Sequence, residues 1–181
     1  ILMGDGLEAA GGYKFDFVAD GYENDPAFAP ALDDVERIQA VDLHVTTLAA
    51  KTLLESAPDL SWVYLQHTDD IGHRDGDSPS MDFAVRWVDA RVSELWGAVQ
   101  ARNQQFVGED WLVIVTTDHG RTSSNGKGHG GQSDRERTIW IANNSPRMVS
   151  PAERSAAIVD IYPTICEHMR FDMPEEVAAQ L

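Results

Sequence analysis

Two short β-prone runs, Trp62-Val63-Tyr64-Leu65 and Trp111-Leu112-Val113-Ile114-Val115, each break off into a cluster of acids, histidines and glycines. That repeated transition limits the fold more than any other feature of the chain. Apolar, β-branched and aromatic residues in runs this short have the length and composition of buried strands. The residues after them are too polar to bury, so each run reads as a strand that ends in a loop. In open α/β sheets ligands bind outside the carboxyl ends of the strands. Both clusters therefore fall where such a fold would build a site.

The segments between the runs have a different period. Val35, Ile38, Val41, Val45, Leu48 and Ala49 recur at helical spacing, with Asp33 placed to cap the start and Pro58 just past the end, which predicts a helix over 33–56. After Pro79, the positions Met81, Ala84, Val85, Val88, Val92, Leu95 and Val99 step by three and four, and this stripe belongs to core packing. Arg137-Thr138-Ile139-Trp140-Ile141-Ala142 reads as a further strand, and Ile158, Ile161, Ile165 and Met169 mark a last helix over about 156–169. The glycine- and proline-rich residues 1–31 predict a loop-rich entry with one short strand near 15–18. Strands alternating with helices predict an α/β fold, a mostly parallel sheet flanked by helices, in one domain whose α/β core spans 32–175.

Charge narrows the partners. Thirty acidic against fourteen basic residues give a net charge of −16, and no general nucleic-acid-binding surface is expected of such a chain. Lys14, Lys51 and Lys127 are its lysines, so two cations beside the second cluster, Arg121 and Lys127, stand out as contacts for a phosphate. Cys166 lies in an apolar setting and reads as a core thiol. The chain contains no apolar run long enough to span a membrane and no signal-peptide pattern. It opens on Ile1-Leu2 without an initiator methionine, so this leaves the compartment undecided, periplasm and exterior included, as is the oligomeric state.

The chemistry lies in the two clusters. Asp69 and His73 are four residues apart and bracket Gly72, which predicts a tight loop aiming both side chains at one ion. Asp118 and His119 follow the second run directly, and His129 sits between Gly128 and Gly130. Five such donors suit a pair of zinc-like divalent ions, since mixed His and Asp ligation is normal for zinc. Two ions close together serve in-line displacement at phosphorus, so phosphoryl or sulfuryl transfer is the expected chemistry. Neighbouring His67, Asp70, Asp75 and Asp77 read as outer or solvated groups, His44 as a helix-surface histidine, and Asp5 as a turn carboxylate.

Taken in order, Asp69-x-x-Gly72-His73, Thr117-Asp118-His119-Gly120 and Gly128-His129-Gly130 resemble the alkaline phosphatase superfamily, and within it the type I phosphodiesterase and nucleotide pyrophosphatase branch. The segment Val159-Asp160-Ile161-Tyr162-Pro163-Thr164 is similar to the one that leads these enzymes' last helix. The resemblance implies a metal-dependent hydrolase of small phosphate esters, phosphodiesters or nucleotide pyrophosphates. It assigns Asp69, His73 and His129 to one ion and Asp118 and His119 to the other. It also implies a Thr or Ser nucleophile that no motif here matches, so the chain is expected to be the C-terminal portion of a longer catalytic domain, inactive alone. The short gap between Asp118 and His129 departs from nucleotide pyrophosphatases and leaves substrate specificity open. Rival readings are a sulfatase, phosphonate hydrolase or phosphoethanolamine-type transferase of the same superfamily, or a catalytically idle metal-binding domain.

Overall fold

A computed structural model describes residues 25–28, 33–146 and 155–178. The strand expected near 15–18, Asp5 and Lys14 lie outside the described residues. The chain divides into two compact units, Ile1–Glu109 and Asp110–Leu181.

In the first unit, helix α1 (Asp34–Ser56) begins as the sequence predicts. Asp33 accepts the Glu36 backbone N–H at 2.8 Å, and Glu36 in turn accepts the Asp33 backbone N–H at 3.4 Å, a reciprocal cap on two otherwise orphaned donors. Ala57 in the left-handed region, with Pro58 behind it, stops the helix. Ile38, Val41, Val45, Ala49 and Leu53 form its buried face. Phe28, Leu48, Val63, Leu65 and Leu95 pack against the Val41, Val45 and Ala49 cluster.

That packing explains what happens to the first β-prone run. Val63 and Leu65 turn toward the cluster while Trp62 and Tyr64 stay exposed, an alternation with the period of a strand. No ladder forms there among the described residues.

Helix α2 (His67–Asp75) corrects the expected loop around Gly72. Gly72 lies inside the helix and is buried, and the chain turns out only at Gly76, whose φ is 64°. A polar segment is helical here because its charges suit the helix dipole. Asp69 and Asp70 occupy the first turn, and His73 and Arg74 the last.

Helix α3 (Pro79–Gln105) opens on Ser78, whose hydroxyl accepts the Met81 backbone N–H at 3.3 Å, with Pro79 in the first turn where no N–H is missed. Its buried positions are narrower than the apolar stripe suggested. Ala84, Ala98 and Val99 are inside, whereas Val85 is exposed. Arg102 is buried too, and its guanidinium donates to the Glu109 carboxylate and to the Leu54 carbonyl.

The second unit contains strand β1 (Ile114–Thr116), helix α4 (Asp134–Arg137), strand β2 (Ile141–Asn143), a 3-10 turn (Ile158–Asp160), helix α5 (Ile161–Met169) and helix α6 (Glu175–Ala178). Asn144 binds the strand ends together, accepting from the Val113 N–H at 2.7 Å and donating to the Trp111 carbonyl at 2.8 Å. Cys166 is buried, as a core thiol should be. The fold is mixed α/β and mostly helical. Among the described residues its one ladder is antiparallel, Ile114 opposite Asn143 and Thr116 opposite Ile141, and no parallel pair is present. The strand predicted from Arg137 starts four residues later, because Arg137 closes α4 instead.

Candidate metal centre

In the first unit, Asp69 and His73 stand one turn apart on α2, so the helix itself brings them together. Asp69 Oδ2 lies 3.3 Å from His73 Nε2. Both side chains retain access to solvent, so the pair is a reachable set of one carboxylate and one imidazole. Beside them, Arg74 makes a two-point contact with Asp75 at 3.1 and 2.9 Å, which raises the Arg74 pKa. His67, read from the sequence as an outer or solvated group, is not solvated: it is buried with its ring edge-on to Trp87, centroids 5.1 Å apart. Burial pulls its pKa below 6.5, with Asp70 opposing.

In the second unit, β1 ends at Thr116, whose hydroxyl donates to the Trp140 carbonyl at 2.9 Å. The loop that follows brings Asp118, His119 and His129 into one neighbourhood. The rings of His119 and His129 stack with centroids 3.8 Å apart and planes 14° from parallel. Asp118 Oδ1 is 3.7 Å from His119 Nε2. His119 Nδ1 is 2.9 Å from the Gly120 carbonyl. A carbonyl only accepts, so Nδ1 carries the proton in this contact, which sets the orientation of the ring.

Close backbone packing holds this loop. Gly120 donates its N–H to the Glu136 carbonyl at 2.8 Å, and a Cβ at position 120 would stand 2.0 Å from the Arg135 carbonyl oxygen. Only glycine allows that approach. Thr122 closes a small ring, donating its N–H to the Gly128 carbonyl at 2.8 Å and accepting from the Gly128 N–H at 3.2 Å. The ring presents Lys127 to solvent two residues before His129, while Arg121 is half-buried.

Beyond His129 the anchor is Glu136, which none of the acid and histidine motifs includes. Its carboxylate accepts the Gly131 N–H at 3.0 Å, the Ser133 N–H at 3.2 Å and the Ser133 hydroxyl. The Ser133 hydroxyl, then the Gly131 N–H, hold its pKa below the ordinary 4.5. A signal for it is present in the sequence, since Ser133-x-x-Glu136 is the pattern of a capping box.

Across residues 11–178 the chain matches the family described as type I phosphodiesterase / nucleotide pyrophosphatase. It belongs to that family. The family lies within the alkaline phosphatase superfamily, as the ordered Asp, His and Gly motifs implied. No curated protein and no solved structure matches the chain. Membership in this phosphodiesterase family makes phosphoester hydrolysis the activity of its class. Among the described residues no helix is long and apolar enough to cross a membrane.

Proposed function

We propose that this phosphodiesterase-family chain supplies the metal ligands and phosphate contacts of a two-metal hydrolase acting on phosphodiesters or nucleotide pyrophosphates. The observation that carries the reading is His119. Its ring stacks on a second imidazole, His129, at 3.8 Å, and its Nε2 lies 3.7 Å from Asp118 Oδ1, so one loop gathers two imidazoles and a carboxylate, the donor types a zinc-like ion takes. Asp69 and His73, paired on α2, are the further donors the motifs imply.

In this reading Asp69, His73 and His129 hold one divalent ion, and Asp118 and His119 the other. A carboxylate and imidazole donor set suits zinc better than magnesium or calcium, which prefer oxygen alone. Bound there, two such ions would activate a nucleophile and neutralise charge on the leaving oxygen at phosphorus. The nucleophile, a Thr or Ser, is taken to lie outside residues 1–181. Residues 1–181 would then be inactive by themselves.

Lys127 and Arg121 are assigned to the non-bridging phosphate oxygens. In a chain of net charge −16, an anionic substrate needs local cations to approach. Donors fixed where negative charge grows in the transition state lower its energy more than that of the ground state. Exposed Lys127 suits first contact, and half-buried Arg121 suits a fixed position.

The test is metal analysis of the complete enzyme after exhaustive dialysis, together with hydrolysis of bis(p-nitrophenyl) phosphate. The reading requires retained zinc-like metal and chelator-sensitive turnover. Retention of less than one ion per chain, or hydrolysis indifferent to chelation, would overturn it.

A further inference from the structure

Helix α2 has no side-chain cap of its own. Gln66 stands at its N-cap position and makes no side-chain hydrogen bond there. The first N–H groups of a helix have no partner within it and must find one elsewhere. Two of those at this end are taken by a residue distant in sequence. Asp42, in the middle of α1, accepts the Gln66 N–H at 3.0 Å through Oδ1 and the His67 N–H at 2.9 Å through Oδ2.

Asp42 is 1% exposed. A carboxylate buried to that degree is costly unless donors and positive potential surround it. The start of α2 offers both, two aligned N–H groups and the positive end of the helix dipole.

We infer that Asp42 is the positioning residue for Asp69 and His73, fixing the first turn of α2 so that the two donors meet. This rests on the proposal that both are metal ligands. Asp69 is the third residue of the helix and lies in its first turn, whereas His73 belongs to the next. Fraying of the first turn would therefore displace Asp69 and leave His73 in place. The Asp69 N–H, bonded at 2.8 Å to the Gln66 carbonyl, is tied to the same residue that Asp42 holds. The effect of losing Asp42 should pass through Asp69.

The experiment uses the full chain with Co²⁺ alone as probe, comparing wild type with Asp42→Asn and Asp42→Ala, each with and without Asp69→Asn. Far-UV circular dichroism checks folding. Asp42→Asn keeps the shape and one acceptor, so it serves if the alanine variant fails to fold. Loss of a residue that orients a metal ligand weakens affinity by about 10- to 100-fold. That loss is expected with Asp69 present and should largely vanish in the Asp69→Asn background, which general destabilisation would not produce. Amide exchange at Gln66 and His67 should also accelerate selectively. An equal loss in both backgrounds, or unchanged affinity in a folded variant, overturns the inference. If wild type binds no Co²⁺, the metal reading fails, and the exchange at residues 66 and 67 still decides whether Asp42 holds the helix start.

Discussion

The imidazoles of His119 and His129 stack at 3.8 Å, although nine residues separate them in the chain. Stacking and metal ligation make different demands on position 129, and substitution can separate them. In the complete enzyme, His129→Phe should keep the ring contact and most of the stability, while His129→Ala loses both contact and donor. Each should lower phosphodiesterase activity and metal affinity by at least about 100-fold, the upper end for residues that merely orient a ligand. Near-normal hydrolysis of bis(p-nitrophenyl) phosphate by either variant would remove His129 from the site.

Gly120 tests how tightly the loop is built. A methyl group there would sit 2.0 Å from the Arg135 carbonyl and 2.8 Å from that of Thr138, and both are backbone atoms that cannot swing away. Gly120→Ala should therefore destabilise the chain by about 1–3 kcal/mol, the usual cost of forcing volume into a packed site. Denaturant unfolding measures it. Gly108→Ala, where nothing lies within 4 Å, is the control and should leave stability nearly unchanged.

Glu136 gives the loop a pH dependence whose sign follows from its hydrogen bonds. The Ser133 hydroxyl and the Gly131 N–H favour the ionised carboxylate, so its folded pKa lies below 4.5. The unfolded chain then binds the proton first. The stabilisation is complete above pH 4.5 and is lost as pH falls through the folded value. Glu136→Gln should lower stability at neutral pH and flatten that part of the curve, as urea titrations from about pH 3 to 7 would record. A variant curve parallel to wild type in this range would show that the carboxylate contributes nothing.

The sequence made some of this legible and hid the rest for physical reasons. Helix α1 is readable from both ends, because Asp33, Glu36 and Pro58 act locally and its apolar period is long. The fate of residues 62–65 is not, since a strand is defined by a partner that no single segment names. Alternate residues of that run pack on α1 instead. Gly72 suggests a loop, but dipole-matched charges and burial keep it helical. Asp118, His119 and His129 announce themselves through spacing and the glycines around them. Asp42 does not, because a buried carboxylate in an apolar helix face acquires its meaning only from the two N–H groups that meet it, more than twenty residues away.

His67 is the other residue whose role only the structure reveals. The residue is 2% exposed, and neither ring nitrogen has a hydrogen-bond partner among the described residues. A buried polar group in that condition costs about 1–3 kcal/mol. The edge-on contact with Trp87 returns part of this, and an aliphatic side chain of similar size would retain most of that packing. The backbone N–H of residue 67 would still donate to Asp42. His67→Leu should accordingly be neutral or stabilising by about 1 kcal/mol, a rise in melting temperature of roughly 2–4 °C for a chain of this length. Calorimetry at neutral pH decides it, and a loss of stability would mean that the imidazole nitrogens are satisfied in solution, with a buried water the simplest partner.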